Sequence, residues 1–489
     1  MELQTSTSHA QSNGNAGDHS TAAIPNNGPT ATAGTRTRSI SRPEEPQTAR
    51  SMLKLICAGF SFFYAGTNDG TIGPLLPYIL RRYKVDSALA TVIYVGTFAG
   101  WFLSALTNTH LTTTLRLSLG ATLLLGAGLQ LLAQLLRFWD APFALFVITF
   151  FFTALGQALQ DSYSNAFVAT VPRAHRWLGF IHAMYMLGCL TGPLIATLVS
   201  SHTQWYYTYA VEAGLGGLNL GFVFLAFGWQ GPRPQLLEVR NNDVATEARR
   251  ESAGDATEVE AEAEAEAGNN NRARSNEPAL ANARTRHKEA LKQIQQTLRL
   301  GSVWLISLFF FFFLGAAITA GGWVVEYLVR VRKGNLSSVG YIPTGYYGGG
   351  FLGRLLLAEP TNRYGERRMV FICIILCVAL QVMFWTIPNI VAGGVLISAL
   401  GFFSGPFFVS GISVASKLFP KSIQATALGL VFVIAQMGGS LFPTITGLIA
   451  ANAGVKVLQP ILVGLFVLVA ASWWFVPKAD GDRDQDREA

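Results

Sequence analysis

Residues 179–193 read GFIHAMYMLGCLTGP, and residues 429–443 read GLVFVIAQMGGSLFP. Both carry one spacing of small residues: Gly179, Gly188 and Pro193 in the first, Gly429, Gly438 and Pro443 in the second. Upstream, Pro172-Arg173 is echoed by Pro420-Lys421, and the offset is near 250 residues in both cases. Small residues let apolar helices approach closely, and proline bends them. The expectation is therefore two related halves in which Gly179, Gly188, Gly192, Pro193, Gly429, Gly438 and Pro443 serve helix packing, the layout of parallel repeats about an axis along a membrane normal.

Working outward from these two stretches, apolar runs recur. A bilayer core needs about 20 apolar residues per helix. Six candidate spans precede the midpoint, at 55–79, 88–107, 115–136, 142–170, 177–200 and 206–229. Six follow it, at 303–329, 337–358, 368–388, 391–417, 423–450 and 456–476. The predicted fold class is an all-α membrane protein of twelve transmembrane helices in two pseudo-symmetric six-helix halves. Predicted boundaries are a disordered cytoplasmic tail at 1–52, an N-terminal half at 53–230, a linker at 231–300, a C-terminal half at 301–477 and a tail at 478–489. The first apolar stretch begins too late and runs too long for a cleavable signal peptide. The linker holds the run EVEAEAEAEAG at 258–268 and a basic segment at 284–299 suited to an anionic leaflet.

Composition agrees. Of 489 residues, 50% are hydrophobic and 13% charged, with 36 Lys and Arg against 29 Asp and Glu for a net charge of +7. The charges crowd into the tails and the linker, so the basic excess describes those segments and no nucleic-acid surface. A soluble enzyme is excluded by the long charge-free runs. Cys57, Cys189, Cys373 and Cys377 lie in apolar sequence, which offers neither a disulfide framework nor a zinc site. Gly348, Gly350 and Gly353 fit G-x-G-x-x-G, but no strand precedes them, and close helix packing is the expected role.

Short loops divide their basic residues almost evenly between the two faces. Arg81, Arg82, Lys84, Arg330, Arg332 and Lys333 oppose Arg116, Arg173, Arg176, Arg363, Arg367, Arg368 and Lys421. Arg50, Lys54 and the basic linker tip both termini to the cytoplasmic side. That orientation places the sequon at Asn335 outside, where glycosylation is expected. The plasma membrane is the expected location and a single copy the expected state.

An ionisable side chain at the bilayer centre costs roughly 3 kcal/mol even on lenient scales. Asp69 sits mid-span beside Asn68, and Asp161 sits in the fourth span. Gln157, Asp161 and Asn165 recur every fourth residue, making one polar stripe that Gln160 and Ser164 widen. Such a stripe should line water, although interhelical hydrogen bonding is the structural alternative. Burial and a neighbouring carboxylate both favour the protonated form of an acid. Asp69 and Asp161 are therefore expected to couple proton movement to solute movement. Asn68, Gln157, Asn165, His182, Trp323 and Gln436 are candidate solute contacts.

With these residues in place, the chain resembles the major facilitator superfamily. Its first and fourth helices resemble the fucose–proton symporter branch and that branch's fungal relatives. The resemblance rests on Asn68-Asp69 followed by Pro74 and Pro77, and on Asp161 four residues before Asn165-Ala-Phe-Val168. It implies proton-linked carboxylates at Asp69 and Asp161, with Asp standing at 161 where the symporters carry Glu. Arg363, Gly365, Arg367 and Arg368 are similar to the superfamily's cytoplasmic gate signature, with Asn362 in its Asp position and Ala358 where Gly is usual. The run from Gly179 to Pro193 also resembles a fifth-helix motif of proton-linked exporters. The implied function is proton-coupled symport of a small, sugar-like organic solute, with no enzyme activity, cofactor, metal or nucleic-acid partner. Export of a metabolite or drug, and a non-transporting membrane sensor on the same fold, stand as alternatives.

Overall fold

A computed structural model of the chain describes residues 49–113, 117–228 and 292–477. Residues 1–48 of the expected first tail, the expected second tail, most of the linker with its acidic run, and Arg116 lie outside the described residues; residues 49–52, expected in the tail, are the helical start of α1. Every described element is helical. The long helices are α1 (Ala49–Tyr83), α2 (Val92–Thr113), α3 (Leu119–Arg137), α4 (Phe143–Ala169), α5 (Ala174–His202) and α6 (Thr208–Phe227). After the linker come α7 (Gly301–Arg330), α8 (Ile342–Leu356), α9 (Glu366–Thr386), α10 (Ile390–Leu418), α11 (Gln424–Ala453) and α12 (Leu458–Trp474). Ten of the helices among the described residues are long and apolar enough to cross a membrane. The others are α1, diluted by the polar segment around Asn68-Asp69, and α8, which has 15 residues.

Two departures from the expected spans have local causes. The expected span at 337–358 is a short helix, Leu336–Val339, followed by α8. Asn335 caps the short helix by accepting from the Ser337 amide at 3.1 Å, and Pro343 opens α8 in the first turn, where a missing N–H costs nothing. Helix α10 is interrupted at Gly405-Pro406, because proline cannot donate to the preceding turn. Residues 292–299 of the basic segment are helical and lead into α7; the Thr426 hydroxyl donates to Gln293 Oε1 at 3.4 Å, tying that helix to the start of α11.

The repeat read from the sequence appears as repeated packing. Helices α1 and α5 run side by side in the same direction, and so do α7 and α11. A Cβ at Gly188 would strike the Phe63 carbonyl oxygen of α1, and a Cβ at Gly438 would strike the Phe311 carbonyl oxygen of α7. Gly192 fits against Thr67 in the same way. Gly179 and Gly429, by contrast, have open space where a Cβ would stand. Gly353 lies against the Phe402 carbonyl and Gly350 against Met186, so the glycines of α8 pack helices together.

The halves meet unevenly. Let the near end be the one where α1 begins and α12 finishes, and the far end the opposite one. At the far end Leu76, Leu80, Ala90 and Tyr94 of the first half join the core of the second half around Trp323 and Val339. Gly73 of α1 backs onto the Gly321 carbonyl of α7 there, and Thr91 abuts Gly447 of α11. Near-end residues of the first half instead form clusters of their own, one around Leu55, Phe62 and Ile181, another around Cys57, Leu123 and Phe227. The apolar core is thus continuous across the halves at the far end, while the near-end apolar clusters of the first half lie within it.

Candidate functional site

Glycines on α1 bring the site together. Gly66 and Gly70 flank Asn68-Asp69, and a Cβ at either would run into the Tyr185 or Cys189 carbonyl of α5. That close approach sets the Tyr185 hydroxyl 2.9 Å from Asp69 Oδ2, to which it donates. Gln157 of α4 donates to the same oxygen at 3.0 Å, and Asn68 Nδ2 donates to Oδ1 at 3.2 Å. The half-buried Asp69 therefore receives donors from three helices. Charge-assisted hydrogen bonds of this kind orient a carboxylate as well as hold it.

Behind Asp69 lies a polar layer that sequence reasoning missed. Asn68 Oδ1 accepts from Gln134 Nε2 at 2.9 Å and from Arg137 at 3.5 Å. These two donors fix which way the Asn68 amide points, and so aim its NH2 group at Asp69. Arg137 is 1% exposed. It donates to Thr149 at 2.6 Å, to Thr153 at 2.9 Å and to Gln134 Oε1 at 3.4 Å, and its guanidinium lies 3.8 Å from the centre of the Phe150 ring. At the end of α3 this residue reads, in a linear sequence, as a membrane anchor. Only the convergence of α1, α3 and α4 turns it inward.

The stripe on α4 divides. Gln157 faces Asp69. Asp161 and Asn165, half-buried, continue along that face towards the near end, and Asp161 is within electrostatic reach of Asp69. Its buried Oδ1 has no hydrogen-bond partner. Gln160 and Ser164 do not widen this face. Gln160 points into the bundle, where its Oε1 accepts from Gln130 at 2.8 Å and from Asn219 at 3.0 Å, and Ser61 donates to Asn219 at 2.8 Å. This is the interhelical hydrogen bonding that a stripe of amides can equally supply.

From the second half, Arg354 of α8 reaches across the seam between halves. It donates to the His182 carbonyl of α5 at 3.3 Å and to the Gly405 carbonyl at the break in α10, also at 3.3 Å. The His182 ring stands between Phe62 and Phe408, each with its ring centre 5.3 Å away. Arg354, Thr361, Pro406 and Ser410 line a cavity of about 90 Å³. Gln436 is half-buried on α11. Trp323 is fully buried in the far-end core beside Gly447, and its indole N–H has no partner.

The gate signature lies at the near end. Gly365 takes φ 89°, a left-handed conformation that suits glycine, and turns the chain from a short helix, Ala358–Tyr364, into α9. Arg367 donates to the Trp474 carbonyl at 2.9 Å, and Trp473 donates to the Arg367 carbonyl at 3.0 Å. Glu366 supplies the acid that position 362 lacks: it accepts from Lys417 at 2.8 Å and from Ser413. Arg363 and Arg368 are exposed. Asn335 is exposed in the far-end loop after α7. Near it, Arg330 donates to Glu326 at 2.8 Å, one turn apart on α7. Glu212, close to the start of α6, is 0% exposed within the bundle. All four cysteines are buried free thiols.

Comparisons with known proteins follow this geometry. A family model described as Major Facilitator Superfamily matches residues 58–334 and 305–489. Bypass of stop codon protein 6 of Saccharomyces cerevisiae is 23% identical over 449 residues, covering 87% of this chain and 82% of the yeast protein. Among solved structures, a D-xylose-proton symporter aligns with a TM-score of 0.64 at 12% identity, covering 88% of this chain and 99% of its own. A bacterial homologue of the human lysosomal transporter Spinster, in an inward-facing and unoccupied conformation, gives 0.62 at 12% identity, with 88% and 98% covered. The transporter FucP in an outward conformation gives 0.54 at 15% identity, with 87% and 99% covered.

Proposed function

This chain belongs to the Major Facilitator Superfamily, and from that premise we propose that it is a proton-coupled symporter of a small, sugar-like organic solute. Membership makes it a multi-pass membrane transporter and not an enzyme. The finer reading rests on one observation: Asp69, in the middle of a membrane helix, is held by donors from α1, α4 and α5 on the face that leads to Asp161. A purely structural acid would sit in a closed, fully bonded contact. Asp161 keeps an unbonded oxygen, and the half-burial of Asp69, Asp161 and Asn165 supports a wet path from the near end.

In this reading the near end is cytoplasmic, the membrane is the plasma membrane, and the transporter works as a monomer. Solute binds between α1, α4 and α5 on one side and α8, α10 and α11 on the other. Asn68, Gln157, Asn165, His182 and Gln436 are its contacts, and Trp323 closes the far side. The loop of Arg363, Gly365, Arg367 and Arg368 acts as the inner gate, and Asn335 carries a glycan. Rocking of the halves then exposes the site to either face.

The test uses full-length protein in proteoliposomes with a panel of labelled pentoses and hexoses. Uptake should rise when the lumen is made alkaline and fall when the gradient is reversed. Asp69→Asn should abolish the pH-driven component and keep solute exchange. Unchanged pH-driven uptake in that variant would refute the role of Asp69, and greater flux outward against the proton gradient would favour export.

A further inference from the structure

The mechanism above makes no use of Glu212. Glu212 of α6 is 0% exposed, and neither carboxylate oxygen has a hydrogen-bond partner. Three further polar atoms around it are buried without partners: the hydroxyls of Tyr64, Thr208 and Tyr209. Tyr64 lies against Gly216, one turn from Glu212 on α6, and Tyr209 lies one turn away in the other direction, its ring 5.2 Å from the Arg137 guanidinium. The charged and titratable groups facing Glu212 are Arg137 from α3, Tyr64 and Asp69 from α1, and Tyr209 on its own helix. A bare carboxylate in such a place loses its water and gains no donor. The acid form avoids that loss.

Arg137 is the one cation in reach among the described residues, and it is committed elsewhere. Its contacts to Thr149 and Thr153 are short, whereas the contact to Asn68 Oδ1 is 3.5 Å, the longest it makes. That long contact is also the one that leads to Asp69, through the Asn68 amide.

We propose that Glu212 is a further binding station for the coupling proton, beside Asp69 and Asp161, its charge read by Arg137 and passed on through Asn68 to Asp69. With the proton on, Glu212 is neutral and Arg137 stays on Asn68, the arrangement seen. When the acid O–H breaks, the electron pair stays on oxygen and the proton passes to water admitted as the halves rock. The new carboxylate then draws the guanidinium from Asn68 Oδ1, and Asn68, oriented by the 2.9 Å donation from Gln134 alone, holds Asp69 less firmly. Arg137 is thus a positioning residue for Asp69 and touches no solute. The relay rests on the reading of Asp69 given above, but the station does not.

Infrared spectroscopy of the purified full-length protein tests this with the proton itself as probe, between about pH 5 and pH 9. The C=O stretch of protonated carboxyl groups should show a pH step that Glu212→Gln removes and Glu212→Asp keeps. Arg137→Gln should also remove the step, because the charged form loses its partner, and Arg137→Lys should restore it. A step unchanged in Glu212→Gln overturns the proposal. Should that variant fail to fold, a step equally intact in Arg137→Gln and Arg137→Lys overturns it. Asp69→Asn separates the two readings: loss of pH-driven flux with no Glu212 step sinks the inference alone, and an intact Glu212 step with undiminished flux sinks the Asp69 assignment and the relay while keeping the station.

Discussion

Replacing Gly188 by alanine tests the repeat at its tightest point. The added Cβ would strike the Phe63 carbonyl oxygen and stand 2.7 Å from the Thr67 amide nitrogen and 2.9 Å from the Phe63 carbonyl carbon. Ordinary contact begins at 3.4 Å. All three neighbours are backbone, so no rotamer can yield, and α5 must withdraw from α1 by roughly an ångström along a shared face. Overpacking of this kind costs about 1–3 kcal/mol. At a few degrees per kcal/mol, the melting temperature in detergent should fall by about 2–10 °C. Gly438→Ala, against Phe311 of α7, should behave alike, since the two sites are copies. Gly179→Ala and Gly429→Ala share the sequence motif but meet open space, and alanine is the better helix former by about 0.5–1 kcal/mol. Those variants should hold or raise the melting temperature. Thermal denaturation followed by size-exclusion chromatography measures all four. Equal losses across the set, or none at Gly188 and Gly438, would refute the claim that the motif splits into contact and non-contact glycines.

Tyr185→Phe removes the 2.9 Å donation to Asp69 and keeps the ring. A hydrogen bond to a charged group contributes about 1.5–3 kcal/mol, so the ratio of pH-driven to exchange flux should fall roughly tenfold or more. Gly73→Val places side-chain atoms against the Gly321 carbonyl at the far-end seam. It should wedge that end open and raise labelling of the buried Cys189 by an impermeant thiol reagent added from the far face. Asn335→Gln should abolish a glycosidase-sensitive mobility shift in a eukaryotic host, and no shift in the parent protein would refute glycosylation there.

The fold was largely legible because its physics is periodic. Apolar runs of bilayer length are written along the chain, and the small residues that let α1 meet α5 and α7 meet α11 must recur at one spacing. Asp69 and Asp161 were legible for a related reason: carboxylates are expensive in a membrane helix, so each stands out. The rest of the site depends on convergence. Nothing near position 137 shows that α4 will offer Thr149 and Thr153 to its guanidinium, and Glu212 resembles any acid close to a helix start. Tyr185 carries no such mark, and its role needed the register of α5 on α1. Gln160 sat three residues from Gln157, near enough to be assigned to the wet face. A shift of about 300° around the helix carries it to the dry one.

The fastening between α5 and α8 is one-sided. Arg354 brings the donors, and both receivers are main-chain oxygens, at His182 and Gly405. Such oxygens are present whatever amino acid is encoded at 182 or 405. Genetic variation can therefore retune this joint through a single codon, the one for Arg354. Relatives that drift freely at the two receiving positions would still inherit the joint, and a lineage that lost the arginine would lose it in one step.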